Sequence, residues 1–178
     1  MVNGASRRLL LGIGANVAGN WGLPRRSLAR ALKELEKAGV EICRVSKFYI
    51  TKPVGNLPQP RFLNAVVLAQ AHVAPSALLR LVKGIERESG RIRTRPMGRR
   101  ALDIDILDYG GRRIGPQGSR RMQGRLLLPH PEIHKRAFVL VPLMEVAPSW
   151  RHPVSGVQGR TLLARLAPVS RAGVRPSP

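Results

Sequence analysis

Hydrophobic positions along the chain follow two periods, and the switches between them mark the elements. Residues 9–15 (LLLGIGA) form a short apolar run closed by turn-forming residues, which predicts a strand. Over 25–38 the apolar residues recur at helical spacing, with Leu28, Leu32 and Leu35 on one face. Pro24 suits the opening of that helix, and Gly39 the position past its end. Residues 40–50 (VEICRVSKFYI) alternate as a half-buried strand does. Three Pro and one Gly make 51–61 a loop. Residues 62–72 (FLNAVVLAQAH) predict a third strand. A second helix opens at Pro75, turns Leu78, Leu81, Val82 and Ile85 inward, and ends at Gly90. A basic loop, 91–100 (RIRTRPMGRR), leads into a fourth strand at 101–109 (ALDIDILDY). Beyond it the pattern predicts a Gly- and Arg-rich loop over 110–125, a small strand at 126–128 and a third helix over 135–145. Residues 166–178 predict a flexible tail.

The order β-α-β-β-α-β is the ferredoxin-like, split-βαβ arrangement. The expected class is α+β: an antiparallel sheet with helices, extended by a C-terminal helix and loops. At 178 residues the chain fits one domain, placed at 1–165, with the tail after it. That length buries a core without disulfide staples, and the single Cys43, expected as a buried thiol, allows no internal disulfide. No apolar run approaches the roughly 20 residues of a membrane helix, and the apolar stretch near the start is too short and Gly-broken for a leader. A cytoplasmic protein and a monomer are the expectations.

Charge changes the picture next. The chain carries +21, and 25 of its 31 basic residues are Arg. Such a surface fits a nucleic-acid binder, a polyanion-facing protein or an enzyme for phosphorylated substrates. Aromatics are only 4% of residues, which leaves little to stack on bases, so nucleic acid is the weaker partner. A basic RNA- or ribosome-binding protein on the same scaffold stays as the rival.

The candidate chemistry lies in the fourth strand. All three Asp of the chain, Asp103, Asp105 and Asp108, fall there. Alternation puts Leu102, Ile104 and Ile106 on one face, and Asp103 and Asp105 on the other, about 6.5–7 Å apart along the strand. Two carboxylates that close repel unless a cation lies between them, and hard oxygen donors suit Mg²⁺. Asp108, at the strand's end, reads as a turn residue. Arg91, Arg93, Arg95, Arg99 and Arg100 approach the pair from the preceding loop, and guanidinium forks match phosphate oxygens. Cations flanking a metal pair are what phosphoryl transfer requires. GIGAN at 12–16 lacks the length and the Lys-Ser/Thr end of a phosphate-binding P-loop, and Asn16 reads as a local hydrogen-bonding residue. For His130, surface and catalytic roles both stay open.

Together GIGAN, VSKFYITKPVG, QPRFLNAVV, IERESGR, RRALDIDIL and LLLPHPEIHKRAFVLVPLMEVAP resemble the 6-hydroxymethyl-7,8-dihydropterin pyrophosphokinases of folate biosynthesis, over roughly residues 9–166. The resemblance implies transfer of pyrophosphate from ATP to the pterin hydroxymethyl group, with AMP leaving. It implies two Mg²⁺ ions held by Asp103 and Asp105. Arg91 and Arg100 would then support the transition state. ATP would be bound by Glu86, Arg91, Arg93, Arg100, Ile106, Arg125, His130 and Arg136. The pterin would lie among Thr51, Pro53, Val54, Phe62, Asn64 and Phe138. A related pterin acceptor remains the nearest alternative. The chain departs from the usual pattern at Met97, where a Trp is common, and at Pro131, where an aromatic is common.

Overall fold

A computed structural model describes residues 6–53, 58–91, 98–115 and 126–178. In chain order the elements are β1 (Arg7–Ala15), α1 (Pro24–Lys37), β2 (Glu41–Val45), β3 (Tyr49–Thr51), β4 (Phe62–Ala71), α2 (Pro75–Glu88), β5 (Asp103–Tyr109), α3 (Ala137–Val146), α4 (Gly159–Ala164), α5 (Pro168–Ala172) and β6 (Arg175–Pro176). The strands make one sheet in the order β5-β1-β4-β3-β6, with β2 also paired to β4. Every pairing is antiparallel. The expected α+β, ferredoxin-like arrangement is present.

Helices α1 and α2 begin with Pro at the first turn, where a missing N–H costs nothing. Their apolar faces (Leu28, Leu35, Leu78, Val82, Ile85) bury one side of the sheet with Leu9, Leu11, Ile13, Val67 and Ile104. The other side is covered in part by α3, through Val139, Leu143 and Val146 against Leu10, Val66 and Leu68.

Two bulges redirect side chains. In β5 the register passes from Leu11↔Ile106 to Leu10↔Asp108, so Leu107 is the extra residue. Leu107 packs on the α3 side, while Tyr109 returns to the α1–α2 side. Asp108 is buried; it accepts from Gly111 N–H (2.9 Å), the turn role expected of it, and from Trp150 Nε1 (2.7 Å). In β2 the step from Ile42↔Ala69 to Arg44↔Leu68 leaves Cys43 unpaired and exposed. The buried thiol expected from the pattern is therefore corrected: the bulge turns Cys43 outward.

The strand predicted over 40–50 is two strands, both paired to β4. Between them Ser46 keeps one ladder bond, N–H to Val66 O (3.0 Å), and its Oγ accepts Val66 N–H (3.0 Å). A side-chain hydroxyl thus replaces a backbone carbonyl, and the chain kinks without breaking contact. At 126–128 Leu128 makes a single bridge to Ile114. Residues 166–178 hold α5 and β6, and β6 pairs with β3.

Candidate active site

Asp103 and Asp105 enter the sheet opposite Gly14 and Gly12 of β1. Both face the α3 side, beyond the part that α3 covers, because Ile104 and Ile106 between them fill the opposite core. With glycine beside each acid, neighbouring Cβ atoms do not crowd them. Gly14 also faces Asn64 of β4. A Cβ on Gly14 would stand 2.5 Å from Asn64 Oδ1, so any larger residue here must push the Asn64 amide aside.

Arg91 is delivered by the end of α2. Gly90 takes a φ of +87°, and the next N–H, that of Arg91, closes back on Glu86 O (3.1 Å). The Arg91 guanidinium then meets Asp103 Oδ1 at 2.6 Å and also pairs with Glu86. Arg100 pairs with the other oxygen, Asp103 Oδ2. Arg100 is fixed in turn by Asn16, whose Oδ1 accepts Arg100 N–H (2.7 Å) and whose N–H donates to Arg100 O (2.9 Å). The Asn16 amide nitrogen donates to Gln59 Oε1 (3.0 Å) and Pro60 O (3.2 Å). The hydrogen-bonding role expected of Asn16 is therefore present but not local: it ties the end of β1 to the loop before β4 and to the approach to β5. The short Gly-x-Asn signal was visible in the sequence, but its partners, 43 and 84 positions away, were not. Gln59 was missed entirely.

Glu86 is almost fully buried, with a side-chain exposure of 3%. Its Oε1 accepts Ile104 N–H (2.8 Å) and Lys83 Nζ (2.8 Å) and pairs with Arg91. In this structure Glu86 holds β5 and Arg91 from beneath. Burial pushes its carboxyl above the ordinary range, against the pull of Lys83 and Arg91. Burial acts on Asp103 in the same sense, but Arg100 and Arg91 overcome it and hold Asp103 below the usual carboxylate range. Arg91 is also desolvated by burial, yet Asp103 and Glu86 raise it further, so its charge is permanent.

Asp105 keeps more exposure, 31% of its side chain, and meets Arg136 Nη1 at 3.4 Å and His130 Nε2 at 3.9 Å. The His130 Nδ1 accepts Glu132 N–H (3.1 Å), which in the neutral ring leaves the hydrogen on Nε2, toward Asp105. Burial holds His130 below the ordinary histidine range; Asp105 opposes this shift and Arg136 adds to it. The Arg136 guanidinium lies 5.6 Å from the ring centroid of Phe138, which sits half-buried in the first turn of α3.

Among the acceptor-side residues, Asn64 is buried and donates to Thr51 Oγ1 at 2.8 Å across the β3–β4 pair. Phe62 starts β4 opposite Thr51, and Pro53 follows β3. The Ile106 side chain lies in the α1–α2 core, so it offers the site only main-chain atoms of the edge strand. Val54, Arg93, Arg95, Met97 and Arg125 lie outside the described residues. Among the described residues no third His, Cys, Asp or Glu joins Asp103 and Asp105 in a metal-holding group.

Two acids ringed by cations, beside a polar edge of the sheet, fit phosphate chemistry. The family model for 7,8-dihydro-6-hydroxymethylpterin-pyrophosphokinase (HPPK) matches residues 10–148, and thus every site residue named above. The chain belongs to the HPPK family. The HPPK chain is 37% identical to a 2-amino-4-hydroxy-6-hydroxymethyldihydropteridine pyrophosphokinase of Synechocystis sp., over 90% of its own length and 77% of the relative's. It is 35% identical to the protein of that name from Pseudomonas aeruginosa, over 97% and 98% of the two chains. Among solved structures, a Plasmodium falciparum HPPK-DHPS A437G complex with STZ-DHP shares the fold, with a TM-score of 0.71 at 16% identity. That match covers 92% of this HPPK chain and 46% of the Plasmodium chain, so this chain spans less than half of that relative. HPPK enzymes are ATP-dependent diphosphotransferases. No helix among the described residues of this HPPK chain is long and apolar enough to cross a membrane.

Proposed function

We propose that this HPPK chain transfers pyrophosphate from ATP to the hydroxymethyl oxygen of 6-hydroxymethyl-7,8-dihydropterin, with Asp103 and Asp105 as the metal-binding pair. The observation that carries the reading is the division of labour around two strand positions. Each oxygen of Asp103 is matched to one arginine, Arg91 and Arg100, while Asp105 looks toward Arg136 and His130.

The donor set fits Mg²⁺. Two carboxylates on one face supply hard oxygens, and with no third protein ligand among the described residues the remaining positions suit phosphate oxygens and water. Arg91 and Arg100 neutralise Asp103. A triphosphate would offer both arginines bidentate oxygen partners, and Asp103 would then be free to hold a cation. When bound, Mg²⁺ would lower the charge repulsion between the attacking oxygen and the phosphate.

The hydroxymethyl oxygen forms its bond to the β-phosphorus as the bond from that phosphorus to the bridging oxygen of AMP breaks. The hydroxyl proton leaves to solvent or phosphate. Arg91 and Arg100 hold negative charge on the phosphoryl oxygens as it grows, and Arg136 and the His130 Nε2–H hold the outer phosphates. Arg93, Arg125 and the main chain at Ile106 complete the nucleotide site. Glu86 acts through Arg91 and Ile104 and does not need to touch ATP. Asn64 orients the flat pterin by hydrogen bonding, with Thr51, Pro53, Val54, Phe62 and Phe138 around it.

The test is incubation with ATP, Mg²⁺ and the pterin, with AMP as the readout. AMP release that depends on the pterin supports the reading. Release of ADP, or AMP formed equally without pterin, would overturn it.

A further inference from the structure

We infer that residues 174–178 act as a strap that positions the acceptor side of the site, with Arg25 of α1 as its anchor; this rests on the acceptor site proposed above. Strand β3 has only three residues and one long partner, β4. Its outer edge is taken by β6, with Tyr49 opposite Pro176 and Ile50 opposite Arg175. Beyond the pair, Ser177 N–H donates to Phe48 O (2.7 Å). Pro176 has no N–H to offer a further strand, so the sheet ends there.

Arg25 ties this segment down. It donates to Ser177 Oγ (2.9 Å) and to Pro178 O, and its guanidinium carbon lies 5.3 Å from the Phe48 ring centroid. One side chain thus grips the strap and the residue just before β3. The segment lies outside the stretch matched by the family model, which ends at 148.

The link to the site runs through Thr51. As the last residue of β3, it accepts the Asn64 side-chain N–H at 2.8 Å. If β3 frays, Asn64 loses the contact that fixes its amide. The apparent affinity for the acceptor then falls by the fraction of molecules with β3 in place. The metal strand stands at the opposite end of the sheet order β5-β1-β4-β3-β6, so the nucleotide side is insulated from the strap. The strap is therefore a positioning element for the pterin and not for ATP.

The experiment compares the full chain with a chain lacking 174–178 and with Arg25→Ala, which keeps the segment but removes its anchor. The expected result is a pterin KM raised about three- to tenfold in both, with the ATP KM within about twofold of the full chain. Amide exchange at Ile50 and Thr51 should rise in both variants, while exchange at Ile104 and Ile106 stays unchanged. An unchanged pterin KM, or pterin and ATP KM rising together, would overturn the inference. If the shortened chain fails to fold, Arg25→Ala decides alone. If the full chain shows no pterin-dependent AMP release, the proposed function fails, and unchanged exchange at Ile50 and Thr51 separately removes the strap.

Discussion

At the scale of single residues, the site is built by pairing each acid with its own set of cations. Asp103 has both oxygens matched by guanidinium groups, so it is ionised well below neutral pH. Replacing Asp103 or Asp105 with Asn keeps the shape and removes the charge, and should lower pterin-dependent AMP release by at least about 10³-fold, in keeping with loss of a charge-stabilising group. Near-normal turnover in either variant would overturn the proposed metal-binding role of the pair. Gly14 tests the acceptor side. A Cβ there would stand 2.5 Å from Asn64 Oδ1, so one of the two must move. Gly14→Ala should displace the Asn64 amide and raise the pterin KM about tenfold, with the ATP KM little changed, as expected when one recognition contact is lost. A rise confined to the ATP KM would place Asn64 outside the acceptor site. The residues legible from sequence were those whose meaning is local. Asp103 and Asp105 show by alternation, whereas Arg91 reads from the pattern only as one of the basic-loop arginines and is singled out by the family resemblance. Asn16 was legible only as a polar residue in a turn, because its roles depend on partners at Gln59 and Arg100.

At the scale of elements, helices were the most readable, because their signals lie within them. Pro24 and Pro75 open α1 and α2 in the structure as the pattern predicts. Strand ends were less readable, because distant partners set them. The run at 40–50 divides at Ser46, where a hydroxyl takes over a ladder bond, and no periodicity encodes that exchange. Residues 175–176 become a strand only because β3 offers a free edge. The link between β3 and α3 is likewise tertiary: Tyr49 OH donates to Glu145, which also accepts Lys47 N–H at 2.9 Å. Burial, reinforced by Glu145, pushes the Tyr49 hydroxyl from 10.0 up to about 12. A raised folded-state value means the neutral phenol is the favoured form. Its contribution is fully present below pH 10 and is lost as pH rises toward 12. Tyr49→Phe should cost about 1.5–3 kcal/mol at pH 8, the range for a hydrogen bond to a charged acceptor. The gap to the unaltered chain, read from urea unfolding, should narrow between pH 10 and 12. A gap that stays constant would show that the bond is not the source of the difference.

At the scale of the whole molecule, the question is what a charge of +21 does for an enzyme whose substrate is an anion. Two arrangements are possible in principle: a global field that gathers ATP, or a few fixed cations that hold it. The structure favours the second. Arg91, Arg100 and Arg136 are aimed by Gly90, Asn16 and Phe138 and are partnered by the two site acids. Arg160, Arg165 and Arg171 lie exposed on or beside α4 and α5. Salt screens exposed charges over about 8 Å at physiological ionic strength, so their reach is short. Replacing all three with Ser should leave kcat/KM for ATP within about twofold and shift stability by no more than about 0.5 kcal/mol per site. Arg91→Ala, which removes one charge, should lower kcat/KM by about 10²-fold or more, as the proposed transition-state role of Arg91 requires. The decisive comparison is ionic strength. Raising salt should lower kcat/KM for ATP by the same factor in the unaltered chain and in the triple Ser variant. If the triple variant instead loses both its rate and its salt dependence, the surface as a whole gathers the nucleotide, and the excess arginines belong to the catalytic device.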